Sequence, residues 1–122
     1  MIPEDIRPLV FALINKSEIR KVNWKHASES LPESLDEDYI VNGPKSSINI
    51  FKSDNGIINF HVLNDRGDIV VKFETLPEER DYEKLEKLLE LAKKKSLNLE
   101  DTIKDLLNSI NNSDVFGDDE SF

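Results

Sequence analysis

With 122 residues the chain is long enough to close one hydrophobic core and is the size of one domain. It holds no cysteine, which excludes a disulfide scaffold and any thiolate metal site. A formal net charge of -9 opposes general affinity for nucleic-acid phosphates or an anionic membrane, and suits either simple solubility or a basic partner.

Residues 4–16 carry Ile6, Leu9, Val10, Leu13 and Ile14 at three- and four-residue spacing, which predicts an amphipathic helix. Asp5 is placed to cap it, Pro8 falls in its first turn, and Phe11 widens its stripe. Residues 17–37 hold neither period for long. Trp24, the single Trp, is expected to lie over the end of that helix and close the core. Ser28 to Asp38, polar and interrupted by Pro32, reads as a loop.

From Tyr39 to Glu74 the pattern changes to strands. Tyr39-Ile40-Val41 is a short run stopped by Asn42-Gly43-Pro44, and Ile48 and Ile50 alternate with polar neighbours. Asp54-Asn55-Gly56 supplies residues that reach positive φ, a hairpin signal. Ile58, Phe60 and Val62 then share one face, with Asn59 and His61 on the other. After a second turn at Asn64-Asp65-Arg66-Gly67, Ile69, Val71 and Phe73 alternate with Val70, Lys72 and Glu74.

Pro77-Glu78-Glu79 is expected to open a helix running to about Lys95, with Tyr82, Leu85, Leu88, Leu89 and Ala92 as its stripe. Acids at its start and Lys93-Lys94-Lys95 at its end match the helix macrodipole. Asn98 is placed to cap a last helix whose stripe is Ile103, Leu106, Leu107 and Ile110. Asn111 to Phe122 has four acids, no basic residue and only stranded apolar ones, a composition that does not build a packed unit.

These elements predict an α+β fold: a two-layer sandwich in which helices cover one face of an antiparallel meander of three to four strands. The expected order is helix, four strands, then two helices. Residues 1–111 form the single domain and residues 112–122 a disordered acidic tail. The other sheet face would present Asn59, His61, Lys72 and Glu74 together with Val70 and Leu63, a partly apolar open surface fit for interaction. No segment reaches the roughly 20 apolar residues of a bilayer span. The first five residues lack the basic start and apolar run of a secretory signal, so a cytoplasmic location is expected.

Residues of catalytic chemistry are not assembled in any known pattern. His26 and His61 are the only histidines and have no metal-ligand spacing. Asp65-Arg66-Gly67-Asp68 is a turn, lacking the spaced acids and closing Glu of a calcium loop. There is no Gly-x-Ser-x-Gly elbow, and the 4 glycines form no phosphate-binding loop. No catalytic, cofactor or metal residue is therefore expected.

The stretch from Trp24 to Ile110 resembles a loose set of short, uncharacterised bacterial proteins. They share a leading helix, a Trp soon after it, a small meander with a Gly turn, and a closing Leu-rich helix pair. Trp24, Ile48-Asn49-Ile50, Asn64 to Gly67, and Leu85 to Leu106 carry the likeness, which implies a fold and no activity. Asp118-Asp119-Glu120-Ser121-Phe122 is similar to the acidic, Phe-terminated tails of bacterial and phage single-stranded-DNA-binding proteins. That likeness implies that Phe122 and its carboxylate dock into a basic pocket of a replication or repair protein. Ser121 stands where those tails have Pro, and the folded part lacks their basic, aromatic groove.

The expectation is a non-enzymatic protein-binding or accessory protein, of the inhibitor or immunity type, with a protein partner of basic surface and no cofactor. Its candidate contact residues are Asp118, Asp119, Glu120 and Phe122 in the tail, and His61 and Val70 on the open sheet face. The alternatives are a DNA replication or repair accessory acting through the tail, and an enzyme with a carboxylate-based site.

Overall fold

The structure is a computed structural model and describes residues 1–27, 37–97, 99–113 and 115. Of the loop expected from Ser28 to Asp38, residues 28–36 lie outside the described residues, as do the cap at Asn98 and most of the expected tail, while Asp38 is not loop but the first residue of a strand, paired with Phe51. A 3-10 turn at Glu4–Ile6 leads into α1 (Arg7–Glu18). Five strands follow: β1 (Lys25–His26), β2 (Asp38–Asn42), β3 (Ser46–Lys52), β4 (Ile58–Asn64) and β5 (Ile69–Thr75). α2 (Tyr82–Ser96) and α3 (Leu99–Asn112) close the chain.

The strands form one antiparallel sheet in the order β1-β2-β3-β4-β5, a meander in which each strand pairs with its neighbours in sequence. There is one strand more than expected, because the two-residue β1 pairs Lys25 with Ile40 and His26 with Tyr39. Two residues show no periodicity, so β1 leaves no trace in the sequence pattern. The registers carry Tyr39, Ile50, Phe60 and Phe73 across the sheet in one row, with Val41, Ile48, Val62 and Val71 beside it. Because side chains alternate, both rows share one face. Ile50, Ile58 and Phe60 are fully buried there, and the Phe60 and Phe73 rings stack at 5.0 Å. The hairpin glycines fall where expected, Gly56 at φ 84° and Gly67 at φ 83°.

α1 and α2 lie on this face and on each other, and bury Val10, Ile14, Leu85, Leu88, Leu89 and Ala92 with the sheet residues in one cluster. Trp24 is buried at the end of α1, its Nε1 donating to Ser17 Oγ at 3.0 Å. The Tyr82 hydroxyl donates to the Gly56 carbonyl at 2.7 Å and ties the start of α2 to the β3–β4 hairpin.

Two helix starts differ from expectation. Asp5 does not cap α1: it lies inside the 3-10 turn, and Ile6 occupies the cap position without a side-chain bond. α2 begins at Tyr82 instead of Pro77, because the acids before it serve other bonds. Glu79 accepts from the Leu76 N–H at 2.6 Å. Asp81, buried, accepts from the Ile2 N–H at 3.1 Å and from Arg7 at 3.3 and 3.4 Å. At the other end, α1 runs to Glu18 and stops as Arg20 turns left-handed at φ 61°, with Lys21 N–H reaching back to the Lys16 carbonyl at 2.9 Å.

The sandwich is thus two-layered, with α1 and α2 as its helical layer. The α3 stripe is not part of that layer: every described side chain from Asp101 to Asn112 is exposed. No helix among the described residues is long and apolar enough to cross a membrane.

Candidate interaction surface

Strand alternation sends Asp38, Ile40, Asn49, Phe51, Asn59, His61, Leu63, Lys72 and Glu74 to the face opposite α1 and α2. Across the strands Ile40, Asn49, His61 and Lys72 stand in one row, and Asp38, Phe51, Asn59 and Glu74 in the next. The β2 side of this face is buried and hydrogen-bonded. Asn49 Nδ2 donates to Asp38 Oδ1 at 2.7 Å and to the Tyr39 carbonyl at 2.9 Å. Asn49 and Asp38 are both buried, so these bonds replace the water each gave up.

In the middle of the face His61 meets Phe51 edge-on, with centroids 5.2 Å apart and planes at 84°. Burial pushes the imidazole below its usual value, the Lys72 ammonium opposite adds to this, and Asp38 and Glu74 pull part of the way back. The ring is therefore neutral at pH 7, with one nitrogen to donate and one to accept.

Toward β5 the face opens to solvent. Val62 pairs with Val71, but Leu63 pairs with Ile69, so Val70 is an extra residue in a β-bulge. Simple alternation expected Val70 in step with Lys72, and counting every second residue does not reveal an inserted one. Ile69 and Val70 stay 50 and 57% exposed, on a strand that among the described residues pairs with β4 alone. A shallow groove of about 360 Å³ continues the face between the turns, lined by Ile40, Asn42, Pro44, Leu63 and Asn64 among others.

A second groove, of about 390 Å³, lies between the sheet and α2. Its acids Glu37, Glu83, Glu86 and Glu90 face Lys52 and Lys87. Lys52 already pairs with Glu86 at 3.6 Å, and Lys87 with Glu18 at 3.0 Å. Among the described residues no group of three or more His, Asp or Glu could hold a metal ion.

Of the residues singled out from the sequence, His61 sits half-buried at the centre of the open face and Val70 exposed at its edge. Asp118, Asp119, Glu120 and Phe122 lie outside the described residues. The Asp38–Asn49 pair and Ile40, which finish the face on the β2 side, were missed. The signal was present as Asn49 held between Ile48 and Ile50, but nothing local names its partner, 11 residues away.

The fold and this face define an α+β domain with one covered sheet face and one open face of mixed polarity. Against protein-family models, curated proteins and solved structures alike, the chain finds no match.

Proposed function

We propose that this is a non-enzymatic protein that acts by binding another protein, as an accessory or inhibitor-type factor, and that the open sheet face makes the contact. One observation carries it: Ile69 and Val70 stand half exposed on an edge strand, beside Leu63 and the Phe51–His61 pair, on the face that α1 and α2 leave open. Exposed β-branched residues on a free edge favour unwanted pairing, and proteins usually cover or charge such edges. Used as a contact, the same strand offers main-chain groups for affinity and alternate side chains for selectivity. The polar centre around His61 would then fix register. With a chain charge of -9, a partner with basic residues at its rim associates faster and is selected over an acidic one. A cytoplasmic setting, as the sequence suggests, belongs to the same proposal, as does the absence of direct binding to nucleic acid.

The test is a photo-crosslinking residue placed at Val70, with the exposed Lys21 as control, expressed in the native host. A discrete adduct to one protein from Val70 and not from Lys21 supports the proposal. No adduct, or the same adducts from both positions, overturns it.

A further inference from the structure

His61 and Lys72 stand directly opposite each other across β4 and β5, on the open face. The ladder sets how close they are. Ser53 N–H donates to the Ile57 carbonyl at 2.9 Å, so the bonded pairs of β3 and β4 are the alternate ones, Phe51 with Asn59 and Asn49 with His61. β4 therefore turns the main-chain groups of Ile58, Phe60 and Val62 toward β5, and His61 and Lys72 form a non-hydrogen-bonded pair. A separate bond agrees: the Glu74 carbonyl points away from β4 and accepts from the Met1 nitrogen at 3.0 Å. In such a pair the Cα atoms are about 4.5 Å apart and the side chains are closest.

The fold satisfies neither group. Among the described residues the ring nitrogens of His61 and the Lys72 ammonium have no hydrogen-bond or ion-pair partner. Phe51 holds the ring edge-on. Asn49, beside the ring on β3, directs its Nδ2 hydrogens to Asp38 and the Tyr39 carbonyl, away from His61. The acids that face the ring are Asp38 and Glu74. Asp38 is buried and accepts from Asn49. Glu74 lies two residues along β5 from Lys72, about 7 Å away, and forms no ion pair with it.

We propose that His61 and Lys72 form a clamp for one carboxylate, the side chain of an Asp or Glu on the bound partner. The inference rests on the reading of this face as the contact, and names what its polar centre recognises.

Three features select this ligand. An imidazole N–H and an ammonium side by side give two donors to a planar anion with two oxygens, and bonds to a charged acceptor are the strong ones. The flanks are apolar, with Phe51 on β3 and Leu63 two residues along β4, and suit the methylenes of an acidic side chain. The main-chain groups of Lys72 point outward, so a strand added at β5 pairs with it and places the opposite residue on this same face. A phosphate group is the poorer fit, because its second charge asks for more donors, and Glu74 and a chain charge of -9 oppose it. The clamp is also linked to protons. A bound carboxylate offsets the Lys72 charge and favours the imidazolium, so binding takes up a proton. It tightens as pH falls from about 7.5 to about 5.5, where a Glu side chain is still ionised.

NMR titration of the full chain with the capped peptide acetyl-Val-Glu-Val-amide, to about 20 mM, and with its Gln counterpart tests this. The expected result is saturable shifts at His61 and Lys72 but not at His26, and a His61 pKa raised by the Glu peptide. The Glu peptide should bind at least ~3-fold tighter than the Gln peptide, a ratio that widens as pH falls. Lys72→Met should remove that preference and Lys72→Arg keep it, His61→Gln should flatten its pH dependence, and Glu74→Gln should tighten binding ~2-fold or more. No shift at either residue, equal affinity for both peptides, or a Glu preference that survives Lys72→Met overturns the clamp. Inorganic phosphate that moves the same resonances further than the Glu peptide at equal concentration assigns the pair to phosphoryl groups and also overturns it. The Val70 crosslink keeps the two readings apart. An adduct without a Glu preference overturns the clamp alone, and a Glu preference without an adduct overturns the partner alone.

Discussion

Asp81 is an acid at the start of a helix whose carboxylate does not cap that helix. Its carboxylate accepts instead from Ile2 and Arg7, 79 and 74 residues away in sequence. Burial pushes the carboxyl up, but the Ile2 N–H and the Arg7 guanidinium outweigh it and hold the group below its ordinary value. Replacing Asp81 with Ala leaves a buried N–H and part of a guanidinium without a partner. It should cost about 2–4 kcal/mol, read by denaturant unfolding. The lowered value also fixes a sign. The carboxylate's contribution is present above the unfolded value near 3.9 and is lost as pH falls through the folded one. His61 acts in the same direction at higher pH. Its folded value lies below 6.5, so between that value and the folded one the unfolded chain takes a proton that the native chain refuses. Thermal midpoints should therefore fall as pH drops from about 7.5 to about 5.5, and His61→Gln should flatten that slope. An unchanged slope would remove His61 from its half-buried place beside Phe51. Both residues were visible in the sequence, Asp81 as a helix-start acid and His61 on the polar side of a strand. Their partners were not visible, because local pattern carries no distance across the chain.

α2 and α3 read alike in the sequence, each with one apolar stripe, and the division of faces is if anything sharper in α3. In the fold they diverge, since Leu85, Leu88 and Leu89 of α2 are buried and the α3 stripe stands in solvent. Periodicity says which side of a helix is apolar, and it is silent on what covers that side. The consequence is measurable by substitution. Leu88→Ala and Phe60→Ala each leave a cavity in a fully packed layer and should cost about 2–5 kcal/mol. Leu106→Ala, at a half-exposed position in a dilute sample, should change stability by less than about 0.5 kcal/mol. Equal losses at Leu88 and Leu106 would place α3 in the core. The sheet was the most legible element, because strict alternation and two glycine turns fix strand, face and register together. What escaped was the short β1 and the bulge at Val70, one too brief to show a period and the other a break in it.

At the scale of the whole molecule, charge and core are unevenly divided. After Ser96 the sequence holds seven acids, Glu100, Asp101, Asp105, Asp114, Asp118, Asp119 and Glu120, against the single Lys104. Among the described residues the hydrophobic cluster lies between Ile2 and Ala92. The described cluster and most of the net charge therefore lie in different lengths of chain. Ending the chain after Leu97 removes those seven acids and one lysine, so the formal charge falls from -9 to -3. Among the described residues it removes no member of the buried cluster. Self-repulsion of the compact state decreases slightly, and the side chains described from Asp101 to Ser113 are all exposed already. The shortened chain should unfold in one cooperative step, with a thermal midpoint within ~3 °C of the full chain. Its denaturant slope should be nearly unchanged, because that slope follows the surface exposed on unfolding and α3 has little to expose. A midpoint lower by ~10 °C or more, or a clearly smaller slope, would mean that α3 unfolds with the domain and packs on it in solution.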